Sequence, residues 1–184
     1  FVSTEPVKNG VFWWSYVNHY NKVSKSKISV ENCKKISNTK RLNIINEIKS
    51  KVTLPREAMT LDEVNSISKF NNITIGNHTV NHPITKSCEL KELKYEISEA
   101  SKVLKFWTGS EIDFFAYPNG DFDKRENSVL QDNNIKLAFT TVPKHINISE
   151  TTNYFQIPRF CVNDNGSFSE NICKMVGVWQ KYIK

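Results

Sequence analysis

Only four histidines occur in this 184-residue chain. Two of them, His78 and His82, stand four residues apart in the stretch Ile73-Thr74-Ile75-Gly76-Asn77-His78-Thr79-Val80-Asn81-His82-Pro83. Neutral imidazole is a common transition-metal ligand, and two close together can share one ion. The flanking residues say how the pair is presented. The β-branched run at 73–75 suits a buried strand. Gly76 allows a sharp exit, and Pro83 stops any regular element and biases His82 towards extended backbone. Both imidazoles are therefore expected on a loop or single turn at the end of a strand, where α/β proteins place their ligands. A chance pairing is the competing explanation. The zincin helix motif is excluded, because it needs Glu directly after the first His and Thr79 stands there.

Several strings in order then point to one family. His78-Thr79-x-x-His82, with Ile75-Gly76 before it and Pro83 after it, fits the His-(Ser/Thr)-x-x-His motif of the polysaccharide deacetylases, the NodB-homology or carbohydrate esterase four group. Upstream, Met59-Thr60-Leu61-Asp62-Glu63-Val64 is similar to that family's Met-Thr-Trp-x-x-Val segment. Downstream, Phe114-Phe115-Ala116-Tyr117-Pro118-Asn119-Gly120 resembles its third motif in the Phe-Ala-Tyr-Pro-x-Gly form. Ala138-Phe139-Thr140-Thr141 and Ile157-Pro158-Arg159-Phe160 fall where one branch has similar strings. The family's first motif, Thr-Phe-Asp-Asp-Gly, supplies a general base and a third metal ligand, and no Asp-Asp pair occurs here. Phe1–Thr4 resembles the strand downstream of that motif. The expectation is a single, N-terminally truncated domain over 1–184, whose natural form has an upstream segment on the order of forty residues by family analogy.

The resemblance implies an incomplete or deformed (β/α) barrel of the polysaccharide deacetylase type. It also implies a hydrolase that removes acetyl, or another small acyl group, from an amino sugar or polysaccharide. Such chemistry needs an activated water and a stabilised oxyanion, and a divalent metal contributes to both. The implied metal is zinc, with His78 and His82 as two of three protein ligands. Aligned through Pro118 and Gly120, the family's oxyanion-binding Tyr falls on Asn119, whose backbone N–H survives the side-chain change. The family's base-orienting Arg falls on Ala116, and Arg159 is the candidate replacement. Tyr117 and Pro118, inside the third motif, are expected substrate contacts. Trp13, within Val11-Phe12-Trp13-Trp14-Ser15-Tyr16-Val17, is either a core residue or a platform for a sugar face. The late Leu-x-x-His motif has no match, and the acid role is not carried onto His145. A domain that keeps the fold and binds glycan without turnover is the alternative.

Composition fits this picture and narrows the rest. The net charge of +6 comes mostly from scattered Lys, with no Arg cluster or aromatic-basic motif of an RNA binder. No apolar run approaches the ~20 residues of a membrane helix. Cys33, Cys88, Cys161 and Cys173 have no C-x-x-C spacing, so zinc ribbons and redox motifs are not expected.

The elements that must position the site can also be read. Phe1–Ser3 reads as a strand whose unpaired edge would favour self-association. Residues 21–38 look like a polar surface excursion, followed by a helix from Asn38 with Leu42, Ile45 and Ile48 on one face. Thr60-x-x-Glu63 is a capping box for a helix feeding the 73–76 strand. Leu90, Leu93, Ile97, Ala100 and Leu104 mark a long amphipathic helix, with Ser87 as its expected cap and Glu and Lys on its wet side. Strands at 114–117, 136–141 and 155–162 follow. A last helix opens at Ser167, with Ile172, Met175, Val176 and Trp179 inward. Strands alternating with helices predict parallel α/β layers.

Overall fold

The structure, a computed structural model, describes residues 1–24, 26–147, 153–162 and 165–178. Five extended segments lie side by side, all parallel, in the order Val2, Asn77, β1 (Phe114–Ala116), β2 (Leu137–Phe139) and Ile157. The register pairs Phe115 with both Asn77 and Ala138. Regular pairing is short because the segments touch for only one to three residues each. The parallel layering read from the helix–strand alternation is nonetheless present.

Helix α6 (Leu90–Thr108) covers one face of these segments with Leu93, Ile97, Ala100 and Leu104. Its start is capped by Glu89 and Glu92 rather than by Ser87, which lies in a separate 3-10 turn, Thr85–Ser87. Gly109 closes it at φ 68°. Val129 and Leu130 of α7 (Arg125–Asp132) complete this core with Phe115, Tyr117 and Ala138. Helix α5 (Leu61–Ser68) carries the full capping box between Thr60 and Glu63 and buries Val64.

The N-terminal third folds more than the sequence suggests. Phe1–Ser3 forms a single bridge, and the chain enters α1 (Thr4–Asn9) at once. The Val2 N–H donates to Gly76 O at 2.9 Å, and its carbonyl accepts from the His78 N–H at 3.1 Å. The aromatic stretch is the start of α2 (Trp13–Ser24). The expected surface excursion at 21–38 instead contains α3 (Val30–Lys35), which buries Cys33 against Trp13, Val17, Ile45 and Ile48. Ser and Lys dominate the segment's wet side and hide the few inward positions. In α4 (Asn38–Lys49) the inward face includes Arg41, which bonds Asn38 Oδ1 at 2.7 Å and lies over the Trp13 ring at 5.0 Å.

At the other end, α8 (Phe168–Met175) leaves Phe168, Ile172, Met175 and Val176 exposed, against the expected inward face; none of its described residues is buried. Trp179 lies outside the described residues. Among the described residues no helix is long and apolar enough to cross a membrane.

Candidate functional site

Alternation along an extended chain sends successive side chains to opposite faces. At the end of the 73–77 segment this separates two roles. Asn77 points into the α6 layer, where Nδ2 donates to Ile97 O (2.9 Å) and Ser101 Oγ (2.8 Å). His78 points to the other face, where Nδ1 meets Ala116 O at 2.7 Å. With Nδ1–H as donor, the ring presents Nε2 outward as a lone pair. Gly76 is needed just before them: a Cβ there would sit 2.6 Å from the Phe1 ring.

The chain then turns through Thr79 at φ 69° and reaches His82 at φ 51°. His82 was expected in extended backbone ahead of Pro83, and this expectation is corrected. Tethers hold it in the left-handed region: its N–H donates to Thr79 Oγ1 at 3.1 Å, and its carbonyl accepts from Trp13 Nε1 at 3.1 Å. The turn brings the His78 and His82 rings edge to face, with centroids 4.6 Å apart. His82 Nδ1 is buried and without a partner among the described residues.

Both imidazoles are neutral at ordinary pH. Burial first, then the neighbouring His82 ring, lowers His78 to about 3. Burial likewise lowers His82 to about 4. A neutral ring with a free lone pair is the form a metal needs, so the pair fits two positions of a metal site. Among the described residues no three His, Cys, Asp or Glu side chains gather, so no third ligand joins them.

Two cavities meet at this pair. One, of about 510 Å³, is lined by Trp13, Trp14, Asn18, Lys34, His82 and Asn119. The other, of about 280 Å³, runs past both histidines between Phe12, Trp14 and Met59. Trp14 and His82 form their common wall, the Trp14 ring standing edge-on to His82 at 4.8 Å and stacking on Phe12 at 4.5 Å.

The other expected residues divide between site and core. Asn119 borders the larger cavity at φ 59°, and among the described residues nothing accepts from its N–H. Its side chain bonds Asp121 at 2.7 Å. Arg159 stands over the Phe1 ring at 5.6 Å, and its charge contributes to the lowering of His78. Tyr117 is corrected: the side chain is fully buried against Phe115 and Phe122, and its hydroxyl donates to Phe155 O at 2.8 Å. Strand alternation turns it towards α6, away from His78. Pro118 is buried beside it and opens the turn that carries Asn119. Trp13 is 6% exposed, packs in the core with its N–H committed, and also borders the larger cavity. Trp14 is the half-buried neighbour facing the cavities.

Sequence reasoning missed Glu96. Its position between Leu93, Ile97 and Ala100 reads as the wet side of α6, yet the residue is 1% exposed. A carboxylate one position before an apolar one carries no mark of burial, and only its partners reveal it.

Parallel segments ending in a two-histidine turn beneath α6 are the arrangement of a deacetylase-type α/β fold. A profile described as polysaccharide deacetylase matches residues 34–138, and the chain belongs to that family. No curated protein matches it. Among solved structures, the Streptococcus pyogenes deacetylase PplD, in complex with acetate, aligns at TM-score 0.57 and 18% identity over 68% of this chain. A polysaccharide deacetylase from Bacillus cereus aligns at 0.55 and 13% over 89%. A de-N-acetylase from Aggregatibacter actinomycetemcomitans aligns at 0.53 and 15% over 92% of this chain and 85% of its own. The present chain spans 54% of the first and 60% of the second. At these identities the likeness speaks for the fold.

Proposed function

We propose that this chain carries the metal-binding and substrate-facing part of a hydrolase that removes acetyl, or another small acyl group, from an amino sugar or polysaccharide. The observation that carries the reading is the His78–His82 pair, two buried neutral imidazoles 4.6 Å apart at the wall of an aromatic-lined cavity. His78 Nε2 and a nitrogen of His82 would hold a divalent metal, zinc by the donor type. When bound, that ion supplies Lewis-acid polarisation of an acyl carbonyl and activation of water.

The chain's own residues supply the rest. The Ala116 carbonyl fixes the His78 tautomer and ring orientation. The Asn119 N–H, beside the larger cavity and without an acceptor among the described residues, would donate to an oxyanion. Trp14 offers an apolar face to a pyranose ring. Arg159 adds positive charge on the His78 side, where a carboxylate or an anionic intermediate would be favoured. With two neutral ligands and no third among the described residues, the chain should hold zinc weakly, and no residue is assigned as base.

That same absence favours a second reading, a domain that binds an acetylated glycan without turning it over. Calorimetric titration with zinc tests the shared premise. Binding by the wild-type chain that disappears in His78→Ala and in His82→Ala is expected. Equal binding by all three would move the metal away from this turn.

A further inference from the structure

Glu96 is a carboxylate in the apolar layer beneath the histidine turn, and no ion pair among the described residues involves it. Its acceptor capacity goes to one place. Oε2 accepts from the Val80 N–H at 3.0 Å and the Asn81 N–H at 2.8 Å, and Oε1 accepts from Asn81 Nδ2 at 2.8 Å. Val80 and Asn81 are the two residues between Thr79 and His82. Charge-assisted bonds of this kind are among the stronger ones a backbone amide can make.

The turn needs such a hold. Thr79 and His82 both sit at positive φ, 69° and 51°. Each such non-glycine residue costs of order 1–3 kcal/mol unless its surroundings over-determine it. Asn77 holds one side: its Oδ1 accepts from the Thr79 N–H at 2.7 Å while its amide grips Ile97 and Ser101 of α6. Glu96 holds the other side, from the same helix. Positions 96, 97 and 101 thus fasten the turn immediately before His78 and immediately before His82.

We propose that Glu96 is the positioning residue of the His78–His82 pair: by clamping Val80 and Asn81 it sets the spacing and orientation of the two imidazoles. The effect on metal rests on the reading of that pair as ligands; the effect on ring geometry does not.

The test uses the full chain. Cross-relaxation between the His78 and His82 ring protons, measured without metal, reports their contact, and zinc calorimetry reports affinity. Glu96→Gln keeps one oxygen for both backbone N–H groups, and a flipped Asn81 amide can accept from the new NH2. It should retain the ring contact and bind zinc within a few-fold of wild type. Glu96→Ala leaves the Asn81 N–H and Nδ2 without their acceptor and leaves the Val80 N–H only the residue-96 backbone carbonyl, at 3.2 Å. It should lose the ring contact while the Leu104 and Phe115 signals stay native, and bind zinc about 10–100-fold more weakly, the usual range for an outer-shell partner. If Glu96→Ala does not fold, Asn81→Asp decides, since it sets a second carboxylate against Oε1, and it should break the same contact. A folded Glu96→Ala or Asn81→Asp with wild-type ring contact and wild-type zinc affinity would overturn the proposal. A wild-type chain whose ring contact depends on Glu96 but which ignores zinc would refute the metal reading and leave the clamp standing.

Discussion

At the scale of the residue, the histidine pair is an imidazole site kept uncharged by its own surroundings. Free imidazole titrates near 6.5, whereas His78 and His82 in the fold are lowered to about 3 and about 4. Between pH 6.5 and about 4 the unfolded chain therefore binds more protons than the folded one. Stability from this source is complete above 6.5 and is lost as pH falls through that window. Each unit of difference corresponds to about 1.4 kcal/mol, so part of the shift already shows in a thermal melt. Glu96 and Glu126, both raised by burial, act in the opposite sense, favouring the fold at low pH. The isolating comparison is the pH dependence of Tm for wild type against the His78→Ala/His82→Ala double variant. The wild-type curve should fall more steeply from pH 6.5 to 4; parallel curves would mean the rings are not buried neutral.

The same scale shows what spacing could reveal. Two histidines four apart after a β-branched run were legible, as was their place at the end of an extended segment. The left-handed backbone of His82 was not, because the Thr79 hydroxyl and Trp13 indole that hold it come from a local fold and from a distant helix. Pro83 alone argued for the opposite conformation.

At the scale of the element, helix phase decides what sequence left open. Trp13 and Trp14 are adjacent and chemically alike, and the orientation of α2 packs Trp13 into the core with only an edge on the larger cavity, while Trp14 walls both cavities. Trp13→Ala is expected to cost about 3–5 kcal/mol of stability, as large aromatic deletions do. Trp14→Ala should cost little stability but weaken binding of N-acetylglucosamine oligomers roughly threefold to tenfold. Melts and fluorescence titrations check the pair, and a Trp14→Ala chain that binds oligomers normally would remove the platform. The Thr60–Glu63 box and the α6 stripe were legible because each is a local pattern of side-chain type. Glu96 and Arg41 were not, since a charge within an amphipathic repeat looks the same whether its partner is water or a buried amide. In the third motif, Gly120 is fixed by geometry: at φ 79° its missing Cβ leaves room for Thr141, which would otherwise stand 2.0 Å away. Gly120→Ala should displace the Asn119 turn and lower Tm by several degrees; an unchanged melt would show that the turn tolerates a side chain.

At the scale of the whole molecule, the parallel layers and the order of helices were readable from alternation, while the lengths were not. Strands expected over four to eight residues pair for three at most, because most of each segment is extended without a regular partner. The fold thus brings His82 and Asn119 to one cavity walled by α2 and α3, and sets Arg159 on the His78 side over the Phe1 ring. What the described residues do not bring to the histidine pair is a third His, Cys, Asp or Glu side chain. Residues 1–184 alone are accordingly expected to release little or no acetate from acetylated glucosamine oligomers, with or without zinc. Robust zinc-dependent release would identify another residue as base and replace the account of the chemistry given above.

The central claim is that His78 and His82 share one metal ion. Anomalous diffraction at the zinc edge, from crystals of this chain soaked in zinc, tests it most directly. The account expects a peak within about 2.0–2.1 Å of one nitrogen of each ring, the usual zinc–imidazole distance. Strong zinc peaks elsewhere on the molecule, with none between these two rings, would contradict it.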